Sequence, residues 1–317
     1  MRLESVQALK QELQESFAKL PLQAAQVRRF STQSGPGRSG ARIGLGIQGG
    51  QRGNYILAVR VQEASSVDEI VAKLPSRARK EADVRVTGLI FKQQPWYQKK
   101  ISPLKIGVSV GHVAVTAGTL GCFVSRNGDG RPLILSNNHV LADENRANIG
   151  DLILQPGKCD GGMPSRDGIA RLMKQVRLKK DKNFVDAALA AVEDGIPMNF
   201  ATLTRLGKLS GVREDLVDEG EPVFKIGRTT GLTEGRVSAF DMDISVEYDS
   251  GFLNFNGQIE ITRTGRKPFS KGGDSGSLIV DGQGRAVGLL FAGNDKDVTY
   301  ANPIAEVTKA LKVQLLF

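Results

Sequence analysis

Cysteine is almost missing from this chain: two residues in 317, too few to staple a disulfide-built secreted scaffold. Histidine is equally scarce, at two, so neither a His/Cys metal site nor a cofactor is expected. No apolar run approaches the roughly 18 residues of a transmembrane helix. The opening Met1-Arg2-Leu3-Glu4-Ser5-Val6 leads into a charged amphipathic stretch instead of the apolar core of a signal peptide. The expectation is a cytoplasmic protein with free thiols and no membrane contact. Aromatic residues make up only 6% while glycine reaches 37 residues. Few rings and many turn-formers point to short strands joined by tight turns.

Charge is present in excess but unevenly. The formal charge is +9, yet residues 1–105 hold 18 Lys/Arg against 8 Asp/Glu, and residues 106–317 hold 25 against 26. The first third therefore carries +10 and the rest −1, which argues for two parts with different roles. A basic first third is either a solvated face or a docking surface for a regulatory protein or nucleic acid. No nucleic-acid motif accompanies it.

Leu3, Val6, Leu9, Leu13, Phe17 and Leu20 recur at steps of three and four, one face of a helix that ends near Pro21. Its apolar stripe must be covered by this chain or by another. Ser31 to Gly40 reads as a flexible link. Arg42–Gln48 and Tyr55–Gln62 predict two strands. Ser66 to Glu69 forms a capping box, opening a short helix through Ile70 and Leu74 that Pro75 stops. Val84 and Val86 begin a third strand, completing a β-β-α-β module near Phe91. Beyond about residue 101, short alternating runs recur between turn signals such as Arg126 to Gly130 and Asp281 to Gly284, a pattern of antiparallel sandwiches or barrels. Pro303 to Leu311 reads as a helix with proline in its first turn. The divisions expected are 1–30, amphipathic helix and linker; 31–100, small basic α/β module; and 101–317, one large β-rich domain.

The most informative segment is Lys271-Gly272-Gly273-Asp274-Ser275-Gly276-Ser277. Glycines flanking a serine allow a tight turn that pushes its hydroxyl outward. The same turn can aim the amides of Gly273 and Ser275 into one hole where an oxyanion forms. A serine nucleophile needs a base, and only His112 and His139 exist, both before Ser275. An α/β-hydrolase places its histidine after the nucleophile, so chain order excludes that class. A subtilisin-like order lacks a suitable aspartate upstream of His139. The order His–Asp–Ser remains. His139 stands in Asn137-Asn138-His139-Val140, at the end of an apolar run. Asp186 interrupts Phe184-Val185-Asp186-Ala187-Ala188-Leu189, where an unpartnered carboxylate is costly and a histidine N–H would satisfy it. Asp181 and Asp194 read as solvated loop residues and His112 as a structural histidine.

These segments resemble the trypsin/chymotrypsin-like serine peptidases. Asn-Asn-His-Val is similar to the histidine segment of bacterial members, and Gly-Asp-Ser-Gly to the family's nucleophile segment. Gly227-Arg228-Thr229-Thr230-Gly231-Leu232-Thr233-Glu234-Gly235 is similar to a stretch in bacterial trypsin-like peptidases and the plant NARROW LEAF proteins. The resemblance covers roughly residues 106–311 and implies a mainly β fold of two six-stranded antiparallel β-barrels with a C-terminal helix. It implies Ser275 as nucleophile, His139 as base then acid, Asp186 as the group orienting the imidazole, and the Gly273 and Ser275 amides as oxyanion hole. Phe269 would lie near the substrate-pocket floor, with Phe291, Ala292 and Gly293 along a wall. No acid occupies the floor, and the approach is lined by Arg263, Arg266, Lys267 and Lys271, expected as a solvated loop.

Secreted relatives bridge a cysteine beside the histidine; here Cys122 has no partner at Val140. Lys100-Ile101 superficially resembles an activating cut site without the glycines that follow one. A site formed without cleavage, or governed by the N-terminal part, is the expectation. The implied activity is a serine endopeptidase acting on proteins or peptides through an acyl-enzyme. The alternative is a peptidase fold serving as a binding or regulatory module through its basic N-terminal part.

Overall fold

A computed structural model describes residues 1–18, 43–50, 53–62, 67–79, 82–87, 94–126, 129–294 and 298–317. The Ser31–Gly40 link and the Ser66 end of the capping box lie outside the described residues. The chain divides into two compact units, Met1–Gln93 and Gln94–Phe317.

In the first unit, helix α1 (Leu3–Ala18) precedes strands β1 (Ile43–Gly49) and β2 (Tyr55–Val61), helices α2 (Val67–Lys73) and α3 (Ser76–Arg79), and strand β3 (Ala82–Val86). β1 and β2 pair antiparallel, whereas β2 and β3 run parallel. A parallel pair needs a crossover connection, and α2 and α3 supply it. Val6, Leu9 and Leu13 of α1 are buried in one core with Leu57, Val59 and Val61 of β2, Ile70 of α2 and Ala78 of α3. The middle of the α1 stripe, Val6 to Leu13, is thus covered by this chain's own sheet, while Leu3 stays exposed. The extra turn α3 has no counterpart in the sequence pattern. Pro75 ends α2 but also opens the next turn, its carbonyl accepting from the Ala78 and Arg79 amides at 2.7 and 3.1 Å; proline is well tolerated at a helix start.

The second unit is almost entirely antiparallel β. Six of its strands close on themselves in the order Arg285–Gly293, Leu278–Asp281, Pro222–Gly227, Gly231–Tyr248, Gly251–Arg263 and Val298–Pro303, the last pairing back with the first. A second large sheet runs Val313–Leu315, Cys122–Arg126, Asp129–Ser136, Ala188–Val192, Gly168–Gln175, Leu152–Leu154, Ser109–His112 and Gly118–Thr119. Its ring passes through a bent segment, 118–126, that pairs first with Ser109–His112 and then with Asp129–Ser136. This sheet holds eight strands, not six. The bend divides one strand into two, and Val313–Leu315 adds itself to the edge after a helix at Ile304–Leu311. No helix among the described residues is long and apolar enough to cross a membrane.

Strand alternation sorts most of this unit's described core into three layers. Phe123, Ile134, Ala188 and Ala190 face the interior of the first barrel. Val223, Ile259, Ile279 and Leu290 fill the second. Their chain neighbours Cys122, Val124, Leu133, Leu135, Leu189, Leu278 and Val280 point the other way, into a layer shared by both barrels and capped by Val307 and Leu311 of the C-terminal helix. These strands are buried on both faces, so they read as continuous apolar runs. Both cysteines are free, and burial of Cys122 in the shared layer pushes its thiol far up.

Candidate active site

His139 sits on α4 (Asn138–Leu141), a single helical turn following the strand Asp129–Ser136. The first amides of a helix have no partner within it, and here a side chain from elsewhere takes them. Asp186 Oδ1 accepts from the Asn138 N–H at 2.6 Å and the His139 N–H at 3.3 Å. Its Oδ2 lies 2.5 Å from His139 Nδ1 and accepts from the Tyr248 hydroxyl at 2.6 Å. The peptide of Asp186 is held as well: its N–H donates to Asn302 Oδ1 at 2.9 Å and its carbonyl accepts from Asn137 Nδ2 at 2.7 Å. Asp186 is fully buried, so these contacts replace water around its carboxylate.

Because Oδ2 receives Nδ1–H, the imidazole is held with Nε2 as the unprotonated nitrogen when neutral. Burial pushes the His139 pKa down. The Asp186 charge and hydrogen bond, with the Glu144 charge, outweigh that and leave it above the ordinary imidazole value.

Ser275 is half-buried in the loop before the strand Leu278–Asp281. Its carbonyl accepts from the Thr119 N–H at 2.8 Å. A Cβ on Gly118 would lie 2.4 Å from a methyl of Val140, the residue after His139, and 3.1 Å from the Ser275 carbonyl. The nucleophile loop and the histidine turn therefore meet across residues 118–119. Gly276 has φ +88°, and a Cβ there would stand 2.0 Å from Ser136 Oγ; only glycine fits the turn. The amides of Asp274, Gly276 and Ser277 donate to backbone carbonyls. Among the described residues, none accepts from the Gly273 or Ser275 N–H, which leaves both amides able to donate to a bound oxygen.

The Asp274 carboxylate is turned inward. Its Oδ1 accepts from the Thr229 and Thr230 amides at 2.8 and 3.1 Å, and its Oδ2 from the Thr230 hydroxyl at 2.7 Å and the Lys271 amide at 3.0 Å. Lys225 Nζ lies 3.4 Å away, with both side chains fully buried. Burial pulls the Lys225 pKa below its usual value against the attraction of Asp274. The Gly227–Gly235 stretch thus serves a physical purpose, because its turn wraps the aspartate beside Ser275. Removing one member of a buried pair strands the other charge, a loss of about 3–5 kcal/mol. The remaining donors on Asp274 place Lys225→Met near the lower end. A drop in the denaturant midpoint at unchanged slope is the expected reading.

The other candidates fall elsewhere. His112 accepts from the Ala114 amide at Nδ1 and faces Asp151 Oδ2 through Nε2, both at 3.1 Å, a structural pairing. Asp181 and Asp194 are exposed, as are Arg263, Arg266, Lys267 and Lys271. Phe269 is buried in the second barrel's core. Phe291 is also buried and packs on Phe255, ring centroids 4.7 Å apart, while Ala292 is half-buried and Gly293 exposed. Tyr248 carries no signal in the sequence, being a strand residue with no motif around it; Lys225 is detectable as a charge inside the apolar run Val223–Ile226, just before the Gly227–Gly235 stretch.

Two antiparallel barrels, with a histidine–aspartate couple on one and a glycine-flanked serine on the other, define the chymotrypsin-like serine peptidase class. The chain belongs to the family described as "Trypsin-like peptidase domain", whose model matches residues 118–289, a stretch containing His139, Asp186 and Ser275. The chain is a trypsin-like serine endopeptidase, with proteins or peptides as its substrates. Among solved structures it is similar to a chymotrypsin of Cellulomonas bogoriensis, at 17% identity, 67% of this chain and 99% of that one, TM-score 0.47. It is also similar to protease A of Thermobifida fusca, at 16%, 67% and 99%, TM-score 0.48. A third likeness is to a Nocardiopsis protease, at 16%, 68% and 100%, TM-score 0.49. No curated protein matches the chain.

Proposed function

We propose that the endopeptidase works through an acyl-enzyme on Ser275. The observation that carries this reading is the His139–Asp186 couple: the carboxylate, locked by two amides of α4, fixes the tautomer that leaves Nε2 able to take a proton. Ser275 Oγ attacks the scissile carbonyl carbon as its proton passes to His139 Nε2. The carbonyl oxygen becomes an oxyanion facing the Gly273 and Ser275 amides, each such donor worth roughly 10²–10³ in rate. Collapse breaks the C–N bond, and the proton on Nε2 leaves with the amine. Water, deprotonated by the same nitrogen, then hydrolyses the ester and returns the proton to Ser275. Asp186 orients the ring and balances its transient positive charge.

No cleavage is needed to assemble this site. A freed N-terminus would have to reach Asp274, whose two oxygens already face Lys225 and four hydrogen-bond donors. The Lys100–Ile101 peptide is itself tied down, Lys100 Nζ donating to Asp167 Oδ1 at 2.8 Å and the Ile101 amide to Gln155 Oε1 at 3.3 Å.

The base must be neutral to act, so kcat/KM rises with pH as His139 loses its proton. Its raised pKa puts the midpoint of that acid limb above the ordinary value of about 6.5, which a pH–rate profile will read. Incubation with a proteome-derived peptide library tests the function as a whole. New termini are expected with the wild type and none with Ser275→Ala; identical libraries after both treatments would overturn the reading.

A further inference from the structure

The strands Gly231–Tyr248 and Gly251–Arg263 form a hairpin far longer than the barrel requires. Its outer half leaves the second barrel and lies along residues 178–184 of the first. Asn254 donates its amide to the Lys180 carbonyl at 2.9 Å, Asn183 donates to the Asn254 carbonyl at 3.1 Å, and Asn256 donates to the Asn183 carbonyl at 2.9 Å. Leu253 and Phe255 are buried against Leu178 and Phe291. The segment so clamped leads directly into Asp186.

At the hairpin's end, Tyr248 stacks on Phe255 with centroids 5.9 Å apart and meets the His139 ring edge-to-face at 6.0 Å. Its hydroxyl reaches Asp186 Oδ2, the oxygen that also faces His139. The turn is pinned to the segment after the histidine, Arg146 donating to Asp249 Oδ2 at 2.9 Å and the Asp249 amide to Glu144 Oε2 at 3.0 Å.

We propose that Tyr248 is a positioning residue of the catalytic couple: the hairpin carries its hydroxyl across from the second barrel to hold Asp186 Oδ2 in line with His139 Nδ1, while the Tyr248–Phe255–Phe291 stack keeps water from the carboxylate. The assignment rests on His139 and Asp186 acting as proposed above. Burial, followed by the Asp186 charge and hydrogen bond, holds the Tyr248 phenol well above its usual pKa, so it remains a proton donor across the working range. A phenol hydrogen bond draws charge from Oδ2 and tempers its pull on the imidazolium. The titratable groups facing His139 are Asp186, Tyr248 and Glu144, the last held with Arg146 and Asp249.

Two substitutions test this on the full chain, read by NMR titration of His139, one of only two histidines. Tyr248→Phe keeps the ring and the stack but releases Oδ2. It should raise the His139 pKa by about one pH unit and lower kcat about tenfold with KM unchanged. Incorporating 3-fluorotyrosine at position 248, a stronger donor, should move the pKa the other way, a result that stands even if the Phe variant folds poorly. A His139 titration unchanged by either replacement overturns the proposal. If the titration moves in both directions but the wild type cleaves no peptide, Tyr248 holds the couple and the peptidase reading fails instead.

Discussion

Ser275→Ala is expected to lower kcat by about 10⁶-fold without disturbing the fold. Loss of the nucleophile in a triad costs about as much as loss of all three members, because the group acts as one unit; what remains is the oxyanion hole and binding. The contacts Ser275 makes with its surroundings run through its backbone: its carbonyl accepts from Thr119, and the neighbouring Gly276 amide donates to Leu290. An alanine keeps both. Thermal midpoint and His139 titration should therefore match the wild type while turnover vanishes. Comparable turnover in the two proteins would remove Ser275 from the chemistry.

Asp186→Asn should cost about 10⁴ in kcat, and the structure supplies the reason. Asp186 Oδ1 faces two donors, the amides of Asn138 and His139. An asparagine at this position must turn its carbonyl oxygen toward them. Its NH₂ then faces His139 Nδ1, which can accept only with the proton moved to Nε2. The imidazole is held in the wrong tautomer, unable to take the Ser275 proton. KM should change little, since Asp186 is buried beneath the histidine. Activity within tenfold of the wild type would show that the couple does not govern the base.

Some of this is legible in the residues and some is not, for physical reasons. Asp186 and Ser275 each break a local rule, and His139 is one of only two histidines in the chain. Asp186 interrupts an apolar run, and Ser275 stands among glycines whose positive φ a tight turn requires. Such violations mark sites where the backbone serves something other than packing. The meeting of His139 with Asp186 depends on barrel closure, which a separation of 47 residues in the chain does not contain. Tyr248 alternates with its neighbours on an ordinary ladder, whereas Lys225 interrupts the apolar run Val223–Ile226 much as Asp186 interrupts its own. The role of Tyr248 comes wholly from what the barrels bring opposite it, so no local pattern could flag it, and the interruption at Lys225 does not name the aspartate it faces. Val313–Leu315 is hidden for a related reason: three residues carry too little periodicity, and the strand exists because the edge at Val124–Arg126 is open to it. The amphipathic stripe of α1 is visible in the sequence, but its cover is not, since that depends on the face β2 presents.

The charge division also has a structural counterpart. The basic excess belongs to the part of the chain that includes the α1/β1–β3 unit, while the triad candidates all lie in the near-neutral unit from Gln94 to Phe317. Positive charge therefore informs the search for what the first unit meets, and the peptidase chemistry stands apart from it.

Ser275 is proposed to act as an activated nucleophile in the intact chain. Reaction of the purified full-length protein with a fluorophosphonate probe, followed by intact and peptide mass spectrometry, tests it most directly. One adduct per chain, mapped to Ser275, absent from Ser275→Ala and carried by protein whose Lys100–Ile101 bond is unbroken, is the predicted result. A folded wild-type chain that takes up no probe, or an adduct that persists in Ser275→Ala, would contradict it.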